Sequence, residues 1–167
     1  MHETESTDSV DMIVGAWQRE RPDLDFDPLQ VLSRVWRLSR NLDRARRASF
    51  GTSDLDPWEF DVLSALRRAG MPYQLSPKAL LEETLVSSGT MTNRIDRLVT
   101  RGLVERHTSP HDGRGILVTM TPDGLARVDA AIVVLLASES NLLSGLTRSE
   151  QERLAALLRK LSGALEL

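Results

Sequence analysis

The chain has 167 residues, 41% hydrophobic and 27% charged, a composition that fits a globular domain with one sizeable core and excludes a disordered chain. Its formal charge of −3, from 21 basic and 24 acidic residues, argues on its face against a nucleic-acid partner. The average hides a split: residues 1–30 carry eight acids and two bases, whereas residues 31–167 carry 16 acids and 19 bases. The acidity therefore belongs to one end, and the remainder is net positive. The absence of cysteine excludes disulfides, thiolate metal sites and a thiol nucleophile, and suits the cytoplasm. The acidic N-terminus lacks the pattern of a secretory signal, and the longest apolar run, Ala130 to Ala137, is too short to span a membrane.

In chain order, residues 1–9 read as disordered. Val10, Met12, Ile13 and Trp17 then recur at helical spacing, which predicts a short amphipathic helix ending before Pro22. Asp23 to Asp27 is an acidic connector. Asp27-Pro28 starts a helix, with Leu29, Leu32, Val35, Trp36 and Leu42 as its apolar face up to about Ala48. The arginines that stud it, Arg34 to Arg47, read as a solvated face. Asp56-Pro57-Trp58-Glu59 combines a cap, a proline and a capping-box glutamate. Its helix places Trp58, Val62, Ala65 and Leu66 on one face and stops at Gly70. Ser76-Pro77 opens a short helix to about Glu83, and Ser87 caps the next, which ends at Gly102. Two strands follow, Leu103 to His107 and Gly115 to Met120, joined by a loop rich in turn residues. Thr121-Pro122 caps a long apolar helix to about Leu142. Thr147 and Glu150 form a capping box for a last helix with a stripe from Leu154 to Leu165.

A short helix, a turn, a second helix and a β-hairpin make a winged helix-turn-helix, whose second helix can enter the major groove of DNA. At about 100° per residue, Met91, Ile95 and Leu98 share one narrow sector and face the core. Gly89, Asn93 and Arg97 lie opposite, with Thr90 beside them. The hydroxyls of Ser87, Ser88 and Thr90 and the free helix N-terminus suit phosphate. Asn93 suits an adenine edge, and Arg97 suits guanine or phosphate. Gly89 allows close backbone approach. On the wing, Arg114 sits between Gly113 and Gly115 and can reach a minor groove, with Asp112 orienting it. The plainer alternative is a solvated helix and a surface turn with a charge pair.

The strings SSGTMTNRIDRLVTRGLVER and DGRGILVTMTPDG resemble the MarR family of bacterial transcriptional regulators, from Leu29 onward. That resemblance implies a mainly α fold with a small β-hairpin, in which a winged helix-turn-helix domain is flanked by N- and C-terminal dimerisation helices. The expected organisation is an acidic extension over 1–26, a dimerisation helix over 27–50, the DNA-binding domain over 51–121 and dimerisation helices over 122–167. It implies a homodimer reading a pseudo-palindromic operator in double-stranded DNA. The apolar surface of Ala130 to Leu136 and of the Leu154–Leu165 stripe is also more than one small domain needs. A monomer that packs those helices in its own core is the alternative.

AWQRERPDLD, WEFDVLSALRRAG and SGTMTNRIDRL are further similar to the urate-responsive subgroup, which carries an extra first helix. That similarity implies a ligand site on Trp17, Asp61 and Arg94, with Arg106 tied to signalling. Arg94 falls about 70° from the core direction of its helix, on the flank and off the DNA face. An arginine there needs an anionic partner. Asp61 is the expected partner in the free protein. A small anionic metabolite, urate, a related purine or a citrate-like acid, would compete for Arg94 and release a repressor from its operator. Structural roles for Trp17 and for an Asp61–Arg94 pair stand as alternatives, as do a winged-helix regulator without a ligand and a protein-interaction module. Three scattered histidines and no HExxH, GxSxG or phosphate-loop motif argue against an enzyme, a metal or a cofactor.

Overall fold

The computed structural model describes residues 7–84, 86–108 and 115–163. Their elements are α1 (Ser9–Glu20), α2 (Asp27–Gly51), α3 (Pro57–Arg68), β1 (Gln74–Leu75), α4 (Pro77–Thr84), α5 (Ser88–Thr100), β2 (Val104–Thr108), β3 (Ile116–Met120), α6 (Pro122–Leu142) and α7 (Arg148–Gly163). The fold is mainly helical with one small antiparallel sheet. The chain divides into two compact units, with the boundary within α2 between Arg46 and Arg47.

In the first unit, α1 begins earlier than apolar spacing alone indicates, because Asp8 is its N-cap. The Asp8 Oδ1 accepts from the backbone N–H of Val10 (2.7 Å) and of Asp11 (3.1 Å), and Asp11 returns a carboxylate to the Asp8 N–H at 2.9 Å. Part of the presumed disordered leader is therefore cap. The arginines of α2 are not all solvated either. Arg34 reaches Asp8 at 3.0 Å and Asp11 at 2.7 Å, and the Arg37 Nη1 donates to the Ser9 hydroxyl at 2.8 Å. The N–H groups of Asp11 and Val10, joined by Arg34, hold the Asp8 carboxyl below the usual carboxylate range.

The second unit holds the main core. Phe50, in the last turn of α2, stacks on Phe60 of α3 at 4.2 Å, and Leu63, Leu66, Leu80, Ile95 and Val118 complete the centre. The helix extends past Ala48 because Phe50 is needed there. The sheet has three strands in the order β1-β3-β2, not the expected two. β1 is two residues long and pairs Gln74 with Thr119 and Leu75 with Val118. It lies between Pro72 and Ser76-Pro77, too short to show alternation, and only its long-range partner defines it. The hairpin pairs Val104 with Met120 and Thr108 with Ile116.

Two glycines are required by geometry. Gly102 ends α5 at φ +70°, with its N–H on the Val99 carbonyl (2.9 Å) and the Leu103 N–H on the Leu98 carbonyl (3.0 Å). That is a Schellman closure, which only glycine adopts freely. Gly124, in the first turn of α6, lies so close to the Leu103 carbonyl that a Cβ would overlap it.

The orientation of α5 rests on a buried charge. Glu59, only 1% exposed, accepts the Asp56 N–H at 2.9 Å and pairs with Arg101 at the C-cap of α5. Arg101 also binds Asp54 through its carboxylate (2.6 Å) and its carbonyl (2.8 Å). Asp54, in a left-handed turn at φ +51°, receives Arg127 of α6 as well. Arg127 first and Arg101 next hold the Asp54 carboxyl below the usual carboxylate range.

Arg101→Ala leaves the Glu59 carboxylate uncompensated and should cost about 2–3 kcal/mol, the scale of a buried group left unpaired. Urea unfolding measures this, and adding Glu59→Gln should recover part of it. An unchanged midpoint in Arg101→Ala would show that Glu59 does not depend on the pair. A carboxyl whose folded pKa is depressed stabilises above its unfolded value, near pH 4, and loses that stabilisation as pH falls through the folded value. Asp54→Asn should therefore flatten the loss of stability below about pH 4, read as melting midpoint against pH, and a parallel profile would refute it.

Candidate nucleic-acid interface

Helices α4 and α5 form the helix-turn-helix. The Ser76 hydroxyl accepts the Ala79 N–H at 3.2 Å and opens α4. Ser87 is the N-cap of α5; its hydroxyl accepts the Thr90 N–H at 3.4 Å and bonds the Thr90 hydroxyl at 2.9 Å. Met91, Ile95 and Leu98 are buried. Ser87, Ser88, Gly89, Thr90, Asn93 and Arg97 are exposed. The first turn of α5 contains no acid, so its positive end stays open to an anion. Among the described residues, nothing beyond its own helix turn lies within 4 Å of a Cβ built on Gly89, so packing there does not require glycine.

Beside this face sits Trp58, in the first turn of α3. Its Nε1 donates to the Asp56 carboxylate at 3.2 Å. The Arg97 Cζ stands 4.7 Å from the indole centroid, and the Arg94 Cζ 5.8 Å from it. Trp58, Gly89, Thr90, Asn93, Arg94 and Arg97 line an open depression of about 450 Å³. Angular position alone assigns Trp58 to the core. It does pack on the core's edge, but it also borders this surface. Its neighbour Pro57 at the helix start was the available signal, since a first-turn side chain lies at the rim of a bundle.

The remaining expected residues are placed as follows. Arg106 on β2 pairs with Asp96 on α5 and so braces the wing against the reading helix. Asp112 and Arg114 lie outside the described residues. Trp17 belongs to the first unit, where it is 50% exposed and stacks on Phe26 at 6.0 Å. Asp61 is exposed on α3 and has an interaction partner. Arg94 is half-buried on the flank of α5, as its spacing indicates. The Arg94 guanidinium lies over the Trp58 ring. An indole face can satisfy a guanidinium without a carboxylate, which spacing arguments overlook.

Among the described residues, no group of three or more His, Cys, Asp or Glu is placed to hold a metal ion. No helix among them is long and apolar enough to cross a membrane.

A winged helix-turn-helix with an open, acid-free reading helix defines a class of DNA-binding regulators. Comparison with known proteins agrees. Residues 53–115 match the family model described as MarR family. The chain is 35% identical over 149 residues to the HTH-type transcriptional regulator PecS of Dickeya dadantii, covering 89% of this chain and 90% of PecS. A mutant of MarR from E. coli, solved in complex with operator DNA, superimposes with a TM-score of 0.70 at 29% identity, covering 83% of this chain and 99% of that one. BpsR of Bordetella bronchiseptica, whose structure concerns regulation of DNA binding by 6-hydroxynicotinic acid, gives 0.69 at 28% identity, covering 83% and 98%. The chain belongs to the MarR family of DNA-binding transcriptional regulators.

Gly89→Ala should leave the melting midpoint unchanged or slightly raised, because alanine favours helix by up to about 1 kcal/mol. It should nevertheless weaken DNA binding several-fold if DNA backbone occupies that space. Anisotropy titration beside a thermal melt checks both, and full DNA affinity would remove Gly89 from the contact surface.

Proposed function

We propose that the protein is a homodimeric repressor released from a pseudo-palindromic operator by a small anionic metabolite. The observation that carries the DNA assignment is the exposed face of α5. Ser87, Ser88 and Thr90 at the helix start would bind phosphate, and Asn93 and Arg97 would address base edges. Arg114, oriented by Asp112, would enter the flanking minor groove. The operator complex of MarR supports this docking for a relative of the same fold. Dimerisation follows from apolar surface that the single chain leaves open. On α6 Val133 is 66% and Leu136 58% exposed, and α7 has no buried residue. Two copies would set their reading helices about one DNA turn apart, roughly 34 Å. In this organisation residues 27–50 and 122–167 serve dimerisation, residues 51–121 bind DNA, and residues 1–26 are an acidic extension.

Arg94 carries the ligand assignment. It is on the reading helix, half-buried, and lies over the Trp58 ring. A bound anion would give it a full charge partner, and its movement would shift the helix. Trp17 and Asp61 complete the proposed ligand set, with Arg106 transmitting through Asp96. BpsR responds to a planar heterocyclic acid, which favours urate or another planar purine anion over a tricarboxylate here.

The test pairs a thermal shift with a DNA titration, using urate, xanthine, 6-hydroxynicotinate and citrate. The true ligand raises the melting midpoint and weakens operator binding, and by linkage operator DNA weakens its binding equally. Arg94→Ala should abolish the shift, and Trp17→Ala should blunt it. Arg97→Ala should lower operator affinity with a shallower salt dependence. Ligand that stabilises the protein yet leaves DNA affinity unchanged would refute the release mechanism.

A further inference from the structure

We infer that Trp58 is a positioning residue for DNA recognition: its indole holds Arg97 through the face of the guanidinium and leaves the edge donors for DNA. This rests on the proposed role of α5 as the reading helix. An arginine on an exposed helix face has many rotamers, and a specific contact must select one. Proteins usually fix arginine with a carboxylate. Here Arg101, Arg106 and Arg127 are fixed that way. A carboxylate has two drawbacks at a reading position. It occupies the in-plane N–H groups, and it cancels the charge that attracts DNA.

An aromatic ring has neither drawback. It contacts the guanidinium through its face, and the five N–H donors lie at the guanidinium's edge. A side chain held so can still form the bidentate contact to guanine O6 and N7, or grip a phosphate. Arg97 meets this description: exposed, 4.7 Å from the Trp58 centroid, and in no ion pair among the described residues. The ring is itself fixed. Its Nε1–H is anchored on Asp56, the N-cap of α3, and its body packs on the core. Asp56 thus fixes Trp58, and Trp58 fixes Arg97. Arg94 lies 5.8 Å from the same centroid, so the ring supports cations from two successive turns of α5.

The test uses the full chain and a duplex selected by the wild-type protein from a random-sequence library. Affinities for this duplex and a scrambled duplex are compared for Trp58→Leu, Trp58→Phe, Arg97→Ala and the Leu/Ala double variant. Trp58→Leu should weaken the selected duplex about three- to tenfold and leave the scrambled duplex within about twofold. Trp58→Phe, which keeps an aromatic face, should restore most of the loss. In the Arg97→Ala background, Trp58→Leu should have no further effect. Additive losses, equal losses on both duplexes, or full affinity in Trp58→Leu would each overturn the role of Trp58. Full affinity in Arg97→Ala would instead overturn the assignment of α5. Should Trp58→Leu fail to melt cooperatively, Trp58→Met keeps bulk without a π face and carries the same test.

Discussion

The Glu59 carboxylate is the constraint on which the second unit depends. An ionised carboxylate away from water costs several kcal/mol unless it is paired and hydrogen-bonded. Glu59 meets that demand through the backbone of Asp56 and the guanidinium of Arg101. One belongs to the start of α3 and the other to the end of α5. The charge therefore ties the beginning of a core helix to the end of the reading helix. Asp54 extends the tie to α6 by receiving both Arg101 and Arg127. Once these ends are joined, the first turn of α3 must lie along α5, which is why Trp58 comes to stand beside Arg94 and Arg97.

The arginines of this chain do different work according to what holds them. Those that join elements face carboxylates: Arg67 meets Asp129 across α3 and α6, and Arg68 meets Glu83 across α3 and α4. Arg34 meets the acids of α1, so part of the acidic N-terminal charge is neutralised locally. Arg94 and Arg97 face a ring, which does not neutralise their charge. The overall charge of −3 is thus a poor guide to the field at the reading helix. Acids spent on internal pairs count in the total but not at that surface.

Most element boundaries were legible, because caps are local chemistry. Asp56-Pro57, Ser87 and Thr121-Pro122 start helices where their side chains predict, and Gly70 and Gly102 take the positive φ that ends them. The buried and open faces of α5 also follow from periodicity alone. The pairings across long stretches of sequence were not legible. β1 exists only through β3. The capping-box role of Glu59 is visible in four residues, whereas its partner lies 42 positions away. The Trp58 indole beside Arg94 is another pairing between distant residues. Trp58 itself was legible only as an apolar residue, since periodicity counts a tryptophan as bulk and is blind to its face.

Helix α7 carries a consequence of another kind. It spans 16 residues and buries none of them within the chain. A helix of that length is only marginally stable in water without tertiary packing. The single polypeptide thus spends backbone entropy on α7 with no core to repay it, and Leu154, Leu157 and Leu158 face solvent at that expense. In the proposed dimer a second copy supplies that core, and helicity in this segment then becomes a function of protein concentration. On that proposal, a newly synthesised chain at low copy number would hold α7 open to proteases until a second molecule arrives. The abundance of such a regulator can then be limited by encounter between its own copies as much as by its rate of synthesis.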